Sequence, residues 1–172
     1  MKFRVLAAIT LLAGCATAPS QERLTDPQIA MVMRVLNLGE VREGELARDK
    51  STNATIRDFG SMMVNEHTSQ NNTAEAALLR VDVASEDTSL SRQIDATSGA
   101  ATDRLRGLTG AAFDRMYIDR EVDAHQYALN LIDKTLTANA RKRVVKEQLA
   151  NLRKLVDAHL GRAKQIQASL PR

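Results

Sequence analysis

Cysteine is almost missing: the 172 residues hold one, Cys15, so the chain cannot staple itself with disulfides. There is no tryptophan and aromatic residues make up 3% of the sequence. No basic patch interleaves with aromatics, which argues against a nucleic-acid footprint. There is no Gly-rich phosphate loop and no Gly-x-Ser-x-Gly elbow, so the common nucleotide and serine-hydrolase sites are excluded. Strand-like alternation is absent as well, leaving helices to carry the fold. These absences lead to the expectation of a non-enzymatic protein without a resident cofactor.

What is present begins at the N-terminus. Lys2 and Arg4 precede a short apolar stretch, Val5 to Ala13, which ends in Leu12-Ala13-Gly14-Cys15. A basic start, an apolar middle and small residues before a cleavage point describe a secretory signal. The stretch has roughly half of the ~20 residues a membrane-spanning helix needs. Leu-Ala-Gly before the single cysteine resembles a bacterial lipobox, in which Cys15 is acylated and becomes the new N-terminus. Residues 1–14 are then a cleaved leader, 15–25 an acylated tether and 26–172 the folded domain. Ala16 rather than aspartate after the cysteine favours an outer-membrane, periplasm-facing location, by analogy with Gram-negative sorting. Loss of Lys2 and Arg4 lowers 24 basic residues to 22 against 21 acidic ones, so the formal charge falls from +3 to +1. The membrane, through the acyl anchor, is the one partner the sequence implies; no protein partner is indicated.

Helical spacing organises the rest. Asp26-Pro27 reads as an N-cap followed by proline at the first helical position. The first helix runs to about Lys50, with Ile29, Met33, Leu36, Glu40, Glu43 and Ala47 on one face. A second helix follows the Ser51-Thr52-Asn53 turn to about Ala84 and aligns Ile56, Met63, His67, Ala74, Leu78 and Val81. A shorter helix within 85–108 is followed by a third long one bearing Ile118, Val122, His125, Leu129 and Leu136. After a turn at Thr137-Ala138-Asn139, a fourth aligns Val145, Leu149, Leu152, Val156, His159, Ala163 and Ile166. The spacing predicts an all-α four-helix bundle, and the length of 85–108 favours a ferritin-like crossover between its two halves.

Several short motifs fall into a recognisable order. They are Asn37-Leu38-Gly39-Glu40 with Gly44 and Ala47, Phe59-x-x-Met62-Met63-x-x-Glu66-His67, Phe113-Asp114-x-x-Tyr117 with Val122 and His125, and His159-Leu160 with Ala163. Together they resemble the bacterial domain of unknown function 4142, often labelled predicted outer membrane protein. The resemblance spans nearly the whole mature chain. It implies a ferritin-like helical bundle exported to the envelope and supplies no activity. Asn65 and Glu66 precede His67 where the family more often has an aspartate directly before the histidine.

All three histidines, His67, His125 and His159, lie on the apolar stripes of different helices, and Glu40 and Glu43 lie on the stripe of the first. Inward Glu and His are the material of metal sites in helical bundles. Imidazole suits zinc, copper or iron, and carboxylates add iron or manganese. Tyr117 and Glu121 share a face with His125, and Glu66 neighbours His67, so these three are the supporting polar residues. No Glu-x-x-His triplet occurs. With the last turn placed near Ala138, His125 lies level with Leu152 and about 10 Å from His159, so a site would use a subset: His67 with His125, or His159 with Glu40 or Glu43 and Tyr117. The competing reading is a set of buried polar pairs that fix helix register. The leading functional expectation is an envelope lipoprotein acting as an interaction or stress-related module. The alternative is a ferritin-like Fe, Cu, Zn or Mn protein, and an envelope enzyme with an unrecognised site is the third class. Asp114 is expected to interact with the dipole of its helix N-terminus.

Overall fold

The computed structural model describes residues 23–171, all of it helix and connecting turns with no strand among the described residues. The leader, Cys15 and most of the tether lie outside this range. The helices are α1 (Asp26–Lys50), α2 (Ala54–Leu79), α3 (Ser89–Arg106), α4 (Gly110–Leu131), the short α5 (Thr137–Asn139) and α6 (Arg143–Ser169), with a π-helical turn at Ile132–Leu136 between α4 and α5. Among the described residues, no helix is long and apolar enough to cross a membrane.

The start of α1 lies one residue earlier than the Asp26-Pro27 reading. Thr25 is the N-cap: its hydroxyl accepts from Gln28 N, and the Gln28 side chain accepts from Thr25 N. This reciprocal box satisfies two of the otherwise unpaired first-turn donors. Asp26, freed from capping its own helix, holds the turn that leads into another. Its carboxylate accepts from the backbone N–H groups of Arg141 and Lys142 at 2.8 and 2.9 Å, just ahead of α6. The α2 end is also earlier than expected. The helix stops at Leu79, Asp82 takes a positive φ of 56°, and Val83 rather than Val81 returns to the core.

Helices α1 and α2 pair as one hairpin, α4 and α6 as another, while α3 lies along α1 and touches α4. Glycines permit the closest approaches. A Cβ on Gly60 would stand 2.7 Å from the Gly44 carbonyl oxygen, and one on Gly39 would stand 2.7 Å from Ser98 Oγ of α3.

The interior is divided crosswise. One apolar cluster joins Met33, Leu78, Leu129, Leu152 and Val156, and a second joins Ala47, Met63, Phe113, Ile118 and Ala163. Between them each long helix contributes polar residues to a buried layer: Asn37, Glu40 and Glu43 from α1, His67 from α2, Glu121 and His125 from α4, and His159 from α6.

Candidate metal centre

The three histidines meet. Their ring centroids lie 5.0 Å (His67–His159), 5.6 Å (His125–His159) and 5.8 Å (His67–His125) apart. One nitrogen from each falls within 4.8 Å of the other two. The expected 10 Å offset between His125 and His159 is therefore not found. The chain does not turn at Thr137–Asn139; it stays helical there after the π turn, in which Thr137 N–H bonds to Ile132 O. Reversal comes at Ala140–Lys142. Moving the hairpin centre to about residue 141 makes His125 level with residue 157, about 3 Å from His159. In the first hairpin His67 faces Asn37, one residue from the expected Leu36.

Each ring is held from outside. His67 Nδ1 is 2.8 Å from Asn37 Oδ1, and the Asn37 amide nitrogen donates to Met33 O, which leaves that oxygen as the acceptor. His125 Nδ1 donates to the Glu121 carbonyl oxygen at 2.8 Å. His159 Nε2 donates to Glu66 Oε2 at 3.0 Å. An amide oxygen, a carbonyl and a carboxylate all accept only. Burial holds all three imidazoles below the usual histidine range, His125 down to about 4, with neighbouring histidine charge adding to the effect at His67. Each neutral ring has one N–H, and in each it points away from the centre. The inner nitrogens, His67 Nε2, His125 Nε2 and His159 Nδ1, are bare lone pairs. Two of them, His67 Nε2 and His159 Nδ1, are 3.1 Å apart, and His125 Nε2 has no partner.

Beside this lies a carboxylate group. Ligand atoms of Glu40, Glu121 and His125 also come within 4.8 Å of one another. Glu40 Oε2 and both Glu121 side-chain oxygens are buried without partners. Glu43 sits further along α1, where Oε1 accepts from Ser98 Oγ at 3.0 Å and Arg120 Nη2 at 3.2 Å. Burial raises all three carboxyls. Repulsion from Glu40 adds to it at Glu43, which reaches about 7, and at Glu121; Arg120 opposes it throughout. The His125–Glu121 side-chain approach of 3.5 Å therefore joins an imidazole and a carboxyl whose burial disfavours the charge on each. Tyr117 packs against Phe59 and Phe113. Its buried hydroxyl is unpartnered, and burial followed by the nearby Glu121 and Glu40 pushes its pKa well up.

Against the sequence expectations, His67, His125 and His159 converge, as do Glu40 and Glu121 with His125, while Glu43 and Tyr117 stand outside both trios. Glu66 is an exposed residue reaching inward rather than a core one. Asp114 is buried and accepts from Ser51 Oγ at 2.6 Å, a contact between the α1–α2 turn and α4 rather than a dipole interaction alone. Two residues went unnoticed as functional. Asn37 lies four residues after Met33 and three before Glu40, on the inward face, and that spacing was the available signal. Arg120 is off the stripe and carried none.

The model of the family described as "Domain of unknown function (DUF4142)" matches residues 13–166. The chain belongs to this family. No curated protein and no solved structure matches the chain. Within the DUF4142 match fall all three histidines, their outer partners Asn37, Glu66 and Glu121, and the carboxylate Glu40.

Proposed function

We propose that this chain is a transition-metal-binding protein of the cell envelope, with the ion held by His67, His125 and His159 inside the helical interior. One observation carries the reading: three acceptor-only partners account for every ring N–H, and one nitrogen of each ring lies within 4.8 Å of the other two. Bare lone pairs repel, and a cation between them removes the conflict. A tetrahedral ion with nitrogens at about 2.0–2.1 Å separates its ligands by about 3.3 Å, close to the 3.1 Å between His67 Nε2 and His159 Nδ1. Outer hydrogen bonds that fix tautomer and ring angle are typical of histidine ligands. Three imidazoles with carboxylates adjacent favour zinc, copper or iron.

The same reading takes the helices as a ferritin-like four-helix bundle with α3 as the crossover. The α1–α2 and α4–α6 pairings, with α3 against α1 and α4, support it. It also takes Cys15 as the acylated residue that holds the domain at the periplasmic face of the outer membrane, on the strength of Leu12-Ala13-Gly14-Cys15. A second reading is an interaction or stress-related module in which the polar layer only fixes helix register. The Glu43–Arg120–Ser98 contacts, which tie α1 to α4 and α3, favour it.

Elemental analysis of the full chain, purified in detergent without chelator or His-tag, separates them. The metal reading expects near-stoichiometric zinc, copper or iron that is lost in His67→Ala and His125→Ala. An ion at a hundred times its Kd adds about 2.7 kcal/mol, a rise of roughly 5–10 °C in Tm for a domain of this size. Metal-free protein whose Tm ignores added Fe, Cu, Zn and Mn would leave the register reading standing.

A further inference from the structure

We infer that the cleft between α1, α3 and α4 is the inlet through which a hydrated divalent cation reaches the interior, with Glu40 as its first protein ligand. The inference rests on the metal-binding reading above. The cleft has a volume of about 270 Å³ and a mainly apolar lining, into which Glu40 of α1, Gln93 and Thr97 of α3, and Arg120 and Asp123 of α4 bring polar groups. Six waters around an ion occupy about 180 Å³ in the liquid, so a hydrated cation fits without displacing a helix.

Glu40 joins the cleft to the centre. It lines the cavity, yet it also belongs to the trio with Glu121 and His125, whose ligand atoms lie within 4.8 Å of one another. Its Oε2 is buried and unpartnered, as are both oxygens of Glu121. An ion that exchanges a water for Glu40 can therefore continue to Glu121, one turn along α4 from His125, whose Nε2 is likewise buried without a partner. Three carboxylates, Glu40, Glu43 and Glu121, surround one guanidinium, Arg120, which holds Glu43 at 3.2 Å. Asp123, one helical turn along α4, gives Arg120 an alternative partner on the same face when the cation arrives.

The other approaches are less open. The two apolar clusters close the layer at either end. On the α2–α6 side the Glu66 bond occupies the outer nitrogen of His159, and passage there needs that bond broken and the ring turned.

Stopped-flow uptake of Co(II) by the metal-free full chain tests the inlet. Thr97→Trp and Gln93→Trp place bulk at exposed positions on the cleft, and each is expected to slow uptake at least tenfold. Ile94→Ala widens the cleft and is expected to accelerate it. Each variant refolded from denaturant with Co(II) present should fill to the wild-type stoichiometry, because the centre itself is untouched. Wild-type uptake rates in both tryptophan variants overturn the inlet while leaving the three-histidine site intact. A wild-type chain that takes up no Co(II) even on refolding overturns the metal reading and the inlet with it.

Discussion

His67 and His159 approach nitrogen to nitrogen at 3.1 Å, and Asn37 and Glu66 behind them hold the only ring protons that could have gone between. The orientation of each ring is set by its outer partner, so the outer partner controls what the inner nitrogen can do. In Asn37→Leu the His67 ring is free to place its proton toward His159, satisfying the pair without an ion. Loss of such an outer partner typically lowers metal affinity 10–100-fold. Competition of the variant against a chromophoric chelator should show a fall in that range, with folding retained by circular dichroism; unchanged affinity would show that Asn37 does not orient the ligand.

Acid and base press on the metal-free protein in opposite senses. His125 titrates near 4 when folded against 6.5 when free, so the unfolded chain takes up protons first and stability is lost as pH falls through that window. Glu43 titrates near 7 against 4.5, so the folded chain keeps its proton longer and stability is lost as pH rises from 4.5 through 7. Glu121 is also raised by burial and acts in the same sense. In the presence of chelator Tm should vary little between about pH 5 and 6.5, where the two effects offset, and then decline toward pH 8.5. Glu43→Gln should remove much of that decline. A wild-type Tm that climbs from pH 6.5 to 8.5 would contradict the burial argument.

Helix separation gives a test independent of any ion. At Gly60 a methyl group would meet backbone atoms, Gly44 O at 2.7 Å and Arg48 N at 2.9 Å, which cannot rotate aside. Gly60→Ala should therefore cost about 1–3 kcal/mol as overpacking, outweighing the gain in helix propensity. Gly99 has nothing within 4 Å of its added Cβ, and Gly99→Ala should stabilise by about 0.5–1 kcal/mol. Urea midpoints of the two variants should move in opposite directions.

The anchor is checked by fractionation. Cys15→Ser removes the thiol that acylation requires, and two or more acyl chains are what make anchoring stable. The variant should leave the membrane fraction, whereas one that stays with the membrane would refute the lipobox.

The helices and their buried faces were legible because apolar residues recur every three or four positions, and Ile29, Met63, Leu149 and Leu152 lie where that spacing puts them. Inward placement of His67, His125 and His159 followed from the same pattern. Their meeting did not, because axial height depends on where a hairpin reverses. Thr137-Ala138-Asn139 has turn-like composition but is held in helix after the π turn, and Asp26, over a hundred residues away, accepts from the backbone of Arg141 and Lys142 where the chain reverses. A long-range tie of this kind leaves no local trace in a sequence. The outer partner of His125 was hidden for another reason: it is a backbone carbonyl, which every residue has.

A hydrocarbon interior cut in two by a polar slab has consequences for how the molecule breathes. The residues around Met33 and Leu152 are joined to those around Met63 and Ile166 chiefly by four continuous helices and by the polar side chains packed between them. In the metal-free protein, amide exchange near either end can proceed through local opening that halts at the midline. An ion bridging α2, α4 and α6 there would weld the halves, so that their amides exchange together, at one common rate.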